Sequence, residues 1–84
     1  HFDGFKQVND RFGHLTGNDV LRALGEGLRD CCRDYDYVAR MGGDEFALVF
    51  YGMTKANVQG RLEQLRDMVI TIGQGICHQA VLDA

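Results

Sequence analysis

The stretch Gly42-Gly43-Asp44-Glu45-Phe46 lies between two short apolar runs, residues 37–41 and residues 46–51. Two runs of this length around a Gly-Gly pair predict a β-hairpin, because both glycines accept the positive φ of a tight primed turn. Asp44 and Glu45 then stand as adjacent carboxylates on a bend with a bare backbone, where a metal-bridged nucleotide phosphate can approach closely. A polar turn with two solvated acids is the alternative that the hairpin by itself leaves open.

Apolar residues at helical spacing on both sides of the hairpin predict three helices. The first covers residues 5–12, and the second covers about residues 18–32, with Thr16 or Asn18 as its cap. Thr54 is the expected N-cap of the third helix. The apolar stripe of that helix is expected at Val58, Leu62, Leu65 and Val69, and its basic residues Lys55, Arg61 and Arg66 are expected in solvent.

Short strands are expected at both ends of this pattern. Residues 1–4 resemble the end of a strand, and residues 70–72 (Ile-Thr-Ile) predict the start of another before Gly73 and Gly75. The second hairpin run is apolar on both faces, as in a strand at the centre of a sheet. The predicted fold class is therefore α/β, an α+β sandwich with helices flanking a mostly antiparallel central sheet.

Composition limits the classes of function. The chain has 84 residues, of which 45% are hydrophobic and 25% are charged, as in one small globular domain. A net charge of −3 argues against a protein held on a nucleic acid polymer by phosphate contacts. Cys31, Cys32 and Cys77 lack metal-site spacing, and we expect reduced thiols and a cytoplasmic location. No apolar stretch approaches the roughly 20 residues of a membrane span.

Two blocks of the sequence together resemble the GGDEF family of diguanylate cyclases, which join two GTP molecules into cyclic di-GMP. Residues 42–46 match the namesake signature of that family. Residues 3–14 resemble its first block, D-x-F-K-x-x-N-D-x-x-G-H, which Gly17-Asn18 and Leu21 continue. The resemblance covers roughly residues 1–55 and implies a single partial GGDEF domain over residues 1–84. Its fold would be nucleotidyl-cyclase or palm-like and incomplete at both ends.

The resemblance also implies a set of site residues. It assigns catalysis to Glu45, Asp44 and Lys6, metal binding to Asp44, Glu45 and the backbone of Phe2, and GTP contacts to Gly4, Phe5, Lys6, Asn9, Asn18, Gly42 and Gly43. The implied cofactor is Mg²⁺ or Mn²⁺, and hard carboxylate oxygens suit either ion. The amide of Asn9 both donates and accepts, as the mixed edge of guanine requires. One GTP per domain implies a homodimer that brings two nucleotides together.

Two positions depart from the family pattern. His1 occupies the place of the first metal-binding carboxylate, and imidazole is a poor ligand for Mg²⁺. Asn18 stands where the family often carries Asp, so we expect weaker discrimination of guanine. These departures, with the missing end, leave a catalytically degenerate domain that binds GTP or cyclic di-GMP as the alternative function. A structural module that binds no nucleotide is a third possibility.

A second pair of charged residues bears on regulation. Arg33 and Asp36 form an R-x-x-D pair, and their spacing from Gly42 matches the family's inhibitory site for cyclic di-GMP. Arg33 can fork onto a phosphate or onto guanine, and Asp36 can accept from guanine N–H groups. The alternative is a solvent-exposed ion pair just after a helix end.

We expect the domain to be the cytoplasmic output part of a larger sensor protein.

Overall fold

The helix His14–Cys31 (α2) runs through the middle of the molecule, and the other elements pack around it. The structure, a computed structural model, describes Phe2 and residues 4–83, with extents of 45 × 21 × 20 Å. The elements in chain order are α1 (Phe5–Phe12), α2 (His14–Cys31), β1 (Tyr37–Gly42), β2 (Glu45–Val49) and α3 (Lys55–Asp83). This order confirms an α+β arrangement with three helices and an antiparallel hairpin.

The core is a stripe of apolar side chains on α2 that faces α3. Buried hydrophobic residues are Val20, Leu21, Leu24 and Leu28 from α2 and Leu65 from α3. The four α2 positions repeat at the 3.6-residue period, which is why the sequence predicted this face. Burial of one such Leu or Val side chain contributes about 1.5–3 kcal/mol. This stripe therefore supplies much of the stability of so small a domain.

Glycines on α2 allow its neighbours to come unusually close. A Cβ atom at Gly27 would lie 2.7 Å from Met68 Sδ and 2.8 Å from Ile72 Cδ1 of α3. A Cβ atom at Gly25 would lie 3.3 Å from Cε1 of Phe46, so this glycine seats the hairpin against the helix. The Gly27 distances are clashes and the Gly25 distance is tighter than most Cβ contacts, and side chains in a packed interior have little room to move.

The hairpin forms as predicted, with its loop one residue further along the chain. Tyr37 pairs with Val49 at the base, and Gly42 pairs with Glu45 at the tip. A bulge between Arg40 and Gly42 shifts the register, so that the loop residues are residues 43 and 44, not the Gly-Gly pair. An extra residue in one strand of a hairpin bends that strand and changes the direction in which its end points.

Strand β2 is less covered than its apolar sequence predicted. Its central residues Phe46, Ala47 and Leu48 are half-buried, while both of its ends are exposed. Within Phe2 and residues 4–83, β2 pairs with β1 alone. Burial on both faces was therefore the wrong expectation for these residues, and the palm-like sheet stays a prediction.

The largest correction concerns the third helix. Residues 70–72 are helical, and α3 continues through Gly73 and Gly75 to Asp83. The strand prediction was wrong because β-branched residues have only a weak intrinsic preference that packing overrides. Here Ile72 packs on Gly27, and the covered positions of α3 recur with a helical period. At 1.5 Å per residue the helix is about 44 Å long, which accounts for the long axis of the molecule.

Helix boundaries and faces show smaller differences. Helix α1 has the predicted bounds, whereas α2 begins four residues before the predicted start, with Gly13 as N-cap instead of Thr16 or Asn18. Thr54 accepts a hydrogen bond at Oγ1 from the Asn57 N–H at 3.2 Å, which confirms the predicted cap of α3. Leu62, predicted on the apolar stripe, is 50% exposed.

The predicted strand end over residues 1–4 falls partly outside the structure. His1 and Asp3 lie outside the described residues, while Gly4 forms a turn. Among the described helices, none is both long enough and apolar enough to cross a lipid bilayer.

We expect Leu24→Ala to destabilise the chain strongly and Leu15→Ala to change little. Both residues lie on α2, but Leu24 is 2% exposed and Leu15 is 83% exposed. Loss of a buried Leu side chain costs about 2–5 kcal/mol, whereas an exposed substitution stays within about 0.5 kcal/mol. Urea unfolding followed by circular dichroism measures both changes, and equal midpoints for the two variants would contradict the assigned core.

Candidate functional site

The two acids of the hairpin tip lie beside the turn that opens the chain. The Phe2 N–H donates to the carbonyl oxygen of Asp44 at 3.3 Å, and the Phe2 and Phe46 rings pack with their centroids 5.3 Å apart. A backbone bond and an aromatic pair therefore join the chain's first residues to the tip. Asp44 is half-buried at this junction, while Glu45 is exposed.

Arg40 braces the loop that carries the acids. Its Nε donates to the carbonyl oxygen of Gly43 at 2.9 Å, and Gly43 has a φ of 41°, which favours glycine. The side chain of Arg40 thus bonds the peptide just before Asp44 and limits how that residue can turn. Sequence reasoning assigned no role to Arg40. The available signal was an arginine close before the Gly-Gly pair, with a long side chain able to reach the loop.

The turn before α1 has the backbone form of an anion-binding helix start. Gly4 is the N-cap of α1 with a φ of 81°, and among the described residues no side chain caps this end of the helix. The first N–H groups of a helix have no intrahelical partner, and they favour an anion. The Phe5 N–H makes one weak bond, to the Phe2 carbonyl at 3.4 Å. Lys6 is largely exposed, and its Nζ lies 3.6 Å from Oδ2 of Asp10, one turn along the helix.

Asn9 and Asn18 occupy neighbouring places where α1 meets α2. Asn9 contacts Gly17, and its buried Oδ1 has no hydrogen-bond partner in the described part of the chain. A buried oxygen without a donor carries a free-energy cost, so such an atom invites a functional explanation. Asn18 is exposed on the next position of α2.

A shallow pocket of about 530 Å³ joins Asn18 to the hairpin. Its lining residues are Asn18, Leu21, Arg22, Gly25, Glu26, Arg40 and Phe46. The structure thus brings one predicted nucleotide-binding residue of α2 to the same surface as the arginine that braces the tip.

Oxygen donors at the tip suit the divalent ion that the resemblance implies. Asp44 and Glu45 are neighbours in the sequence, and the Phe2 N–H bond to Asp44 places the Phe2 backbone at the same junction. Among the described residues, no group of three or more His, Cys, Asp or Glu side chains can hold a metal. Two carboxylates nevertheless fit Mg²⁺, which keeps water ligands and binds substrate phosphates. The donors therefore fit an ion that binds together with a nucleotide. His1 lies outside the described residues.

Arg33 and Asp36 bind each other at the opposite end of the hairpin. Arg33 donates from Nε to Asp36 Oδ2 at 2.9 Å and from Nη2 to Asp36 Oδ1 at 2.7 Å. Its backbone N–H also donates to Oδ2 at 2.9 Å, and Nη2 donates to the Tyr51 carbonyl at 2.9 Å. Asp36 is 3% exposed, so the pair is not the solvated surface pair considered above. Strand β1 separates this pair from the tip by roughly 20 Å.

The guanidinium of Arg33 changes the acidity of its partner. Hydrogen bonds from Arg33 lower the pKa of Asp36 from 3.8 to about 2, against the opposing effect of burial. The same bond raises the pKa of Arg33 above its ordinary value. Charge-assisted, bidentate bonds of this kind hold both groups ionised at neutral pH.

Two further arginines bind carbonyl groups where α2 ends. Arg29 donates from Nη1 to the Asp36 carbonyl at 2.8 Å and from Nη2 to the Arg33 carbonyl. Arg61 of α3 donates from Nη1 to the Cys31 carbonyl at 3.0 Å, so its predicted place in solvent was wrong. Cations near a helix carboxyl end also complement the helix dipole. Three arginines thus fix the chain between α2 and β1.

Comparison with known proteins gives one consistent result. The model of the family described as "Diguanylate cyclase, GGDEF domain" matches residues 1–79. Diguanylate cyclase DosC of Escherichia coli K12 is 39% identical over 67 residues, which is 80% of this chain and 15% of that protein. Diguanylate cyclase DgcP of Pseudomonas aeruginosa is 41% identical over 64 residues, 76% of this chain and 10% of that protein. The chain therefore spans a small part of the curated relatives it matches.

We expect the stability contributed by Asp36 to disappear in acid. Because the folded pKa is lowered, the contribution is fully present above about pH 3.8 and is lost as the pH falls towards about 2. Asp36→Asn should lower the unfolding temperature at pH 7, and the difference from the unmodified chain should shrink between pH 4 and pH 2. Thermal unfolding followed by circular dichroism at several pH values measures this difference.

The matched control for this prediction is Asp34→Asn, at an exposed neighbouring position. It should leave the unfolding temperature at pH 7 close to that of the unmodified chain. A difference between Asp36→Asn and the unmodified chain that stays constant down to pH 2 would refute the ion-pair explanation.

Proposed function

Because this chain belongs to the GGDEF family of diguanylate cyclases, we propose that it is the part of such an enzyme that binds GTP and converts two GTP into cyclic di-GMP. The observation that carries the proposal is the bond from the Phe2 N–H to the Asp44 carbonyl. It joins two acids to the turn where a triphosphate would lie. The setting is bacterial second-messenger signalling, as the names and sources of the relatives suggest.

The reaction joins each sugar to the other nucleotide's phosphate. A 3′-hydroxyl oxygen of one GTP attacks the α-phosphorus of the other, a new P–O bond forms, and the bond to the β-phosphate oxygen breaks. Pyrophosphate leaves with the bonding electrons, and the hydroxyl proton goes to a base. The same exchange in the other direction closes the ring. Glu45, exposed at the tip, is proposed either to accept this proton or to hold a metal ion.

Residues at the start of α1 are proposed to hold the triphosphate. The first N–H groups after Gly4 have no partner within the helix and favour an anion, and the ammonium group of Lys6 adds a mobile positive charge. Lys6 is largely exposed and only loosely paired with Asp10, so it can turn to a phosphate at low cost. Gly42 and Gly43 leave the backbone bare at the tip, where phosphate oxygens must pass.

Asp44, Glu45 and the Phe2 carbonyl are the proposed ligands of Mg²⁺ or Mn²⁺. When bound, such an ion neutralises charge on the phosphate oxygens and makes the α-phosphorus easier to attack. The protein's contribution is to hold Asp44 in place. The Phe2 bond and the Arg40 brace on Gly43 do this from the two sides of the loop.

Asn9 and Asn18 are proposed to read the guanine base. The carboxamide of Asn9 both donates and accepts, as the mixed edge of guanine requires, and its Oδ1 has no donor among the described residues. Because each domain would hold one GTP, we propose that two copies meet face to face as a homodimer in order to react.

Cyclic di-GMP is proposed to inhibit at Arg33 and Asp36. In the present conformation these two residues bind each other, so the ligand would have to draw the guanidinium away from the carboxylate. The Tyr35 ring is exposed, and its centroid lies 4.6 Å from Cζ of the Arg33 guanidinium. It offers a surface on which a guanine base of the ligand can stack.

We expect the chain to release pyrophosphate from GTP in a Mg²⁺-dependent way, and Asp44→Asn to abolish most of this activity. Replacing a charged ligand by a neutral amide should lower the rate by at least roughly a hundredfold. Asp67→Asn, at an exposed position of α3, is the matched control and should retain the rate. Coupled detection of pyrophosphate, with chromatography of cyclic di-GMP, measures both variants.

Dilution within the same assay tests the pairing of two copies. The rate per molecule should rise with protein concentration, because a single copy holds one of the two substrates. A rate per molecule that stays constant over a hundredfold dilution would argue against the pairing. Equal activity of the Asp44→Asn and Asp67→Asn variants would argue against the site itself.

We expect Arg33→Ala and Asp36→Asn each to weaken binding of cyclic di-GMP by about tenfold, as loss of a forked contact to a guanine or phosphate would. Arg66→Ala, at an exposed arginine on α3, is the control and should bind as the unmodified chain does. Isothermal titration with cyclic di-GMP gives the dissociation constants. Unchanged affinity in both site variants would remove the inhibitory-site proposal.

A further inference from the structure

Helix α1 rests on α2 at a point where a Cβ atom would clash with a side chain of α1. Gly17 is buried, and a Cβ atom built on it would lie 1.8 Å from Oδ1 and 2.9 Å from Cγ of Asn9. These distances are far inside van der Waals contact. The next nearest atom, Cζ of Phe5 at 3.5 Å, is at an ordinary contact distance. The steric requirement for glycine therefore comes from the carboxamide of Asn9 and from nothing else nearby.

The same contact is what orients the Asn9 side chain. Its buried Oδ1 finds no hydrogen-bond donor among the described residues. A carboxamide group that lacks such a bond is held only by the atoms it packs against, because rotation about the last side-chain bond is otherwise soft. The surface of α2 at Gly17 is the closest of those atoms. Any side chain there would push the carboxamide out and turn its donor and acceptor to new directions.

We propose that Gly17 is a positioning residue that sets nucleobase preference by seating the Asn9 carboxamide against α2. This inference rests on the proposed function, in which Asn9 reads guanine. Gly17 itself touches no nucleotide. Its effect passes through Asn9, and its neighbour Asn18 stays exposed on the next position of the helix.

The chain contains a matched control for the substitution. Gly60 is also helical, but a Cβ atom built on it meets nothing within 4 Å. Gly60→Ala therefore makes the same chemical change without a clash, and it favours the helix, since alanine is the better helix former. A difference between the Gly17 and Gly60 variants isolates the contact with Asn9.

The test compares the dissociation constants of GTP and ATP, each with Mg²⁺, by isothermal titration. The unmodified chain and Gly60→Ala should prefer GTP. Gly17→Ala should weaken GTP binding by about tenfold and leave ATP binding unchanged, as expected when a base-reading hydrogen bond is misdirected. The ratio of the two constants is the decisive reading, because a merely structural loss would weaken both nucleotides together.

A second comparison uses Asn9→Ala, which removes the carboxamide. The double variant Asn9→Ala/Gly17→Ala should match Asn9→Ala in both dissociation constants. It should unfold at the same temperature as Gly17→Ala or at a higher one, because the clash is gone. If Gly17→Ala alone fails to fold, a folded double variant supports the contact. A double variant that also fails to fold overturns it.

The possible outcomes distinguish a failure of the inference about Gly17 from a failure of the proposed function. No preference for GTP in the unmodified chain would overturn the proposed function and the inference together. A clear preference that Gly17→Ala retains would overturn the inference alone. A double variant with weaker GTP binding than Asn9→Ala would show that Gly17 acts through something other than Asn9.

Discussion

Close approach to α2 is the constraint on which the rest of the structure depends. This helix contacts both other helices and the hairpin, and at three glycines a Cβ atom would lie unusually close to a neighbouring side chain. Gly17 receives α1, Gly25 receives the hairpin through Phe46, and Gly27 receives α3. A helix interior is normally a poor place for glycine, because each one costs roughly 0.8–1 kcal/mol relative to alanine. Here the close packing at these glycines offsets that cost.

The proposed site inherits its geometry from these contacts. The hairpin lies where Phe46 meets Gly25, and from there its tip reaches the turn before α1. Helix α1 lies where Asn9 meets Gly17. The acids and Asn9 are thus carried by two elements that are each fixed against the same helix, and that helix itself carries Asn18. Preorganisation of this kind matters for phosphoryl transfer, where positioning and charge supply most of the catalysis.

The sequence allowed the hairpin, the three helices and the apolar face of α2 to be predicted, since Gly-Gly between apolar runs and a 3.6-residue repeat are strong local signals. It did not reveal the bulge before Gly42, which moves the loop by one residue. Nor did it indicate the burial of Asp36, because an R-x-x-D spacing says nothing about how a loop folds around it. The packing contacts at Gly17 and Gly25 involve side chains that are distant in the sequence, so no local sequence pattern predicts them.

The mistaken strand at residues 70–72 points to a property of α3 itself. That segment is rich in β-branched residues, and the helix also carries Gly60, Gly73 and Gly75, each facing open space. Together these residues lower the intrinsic helix propensity of α3, so that its local preference is nearly balanced between helix and strand. Its helical form is imposed by contact with α2. Hydrogen exchange along α3 should accordingly report on the docking of two helices, with the backbone amides losing protection when that docking loosens.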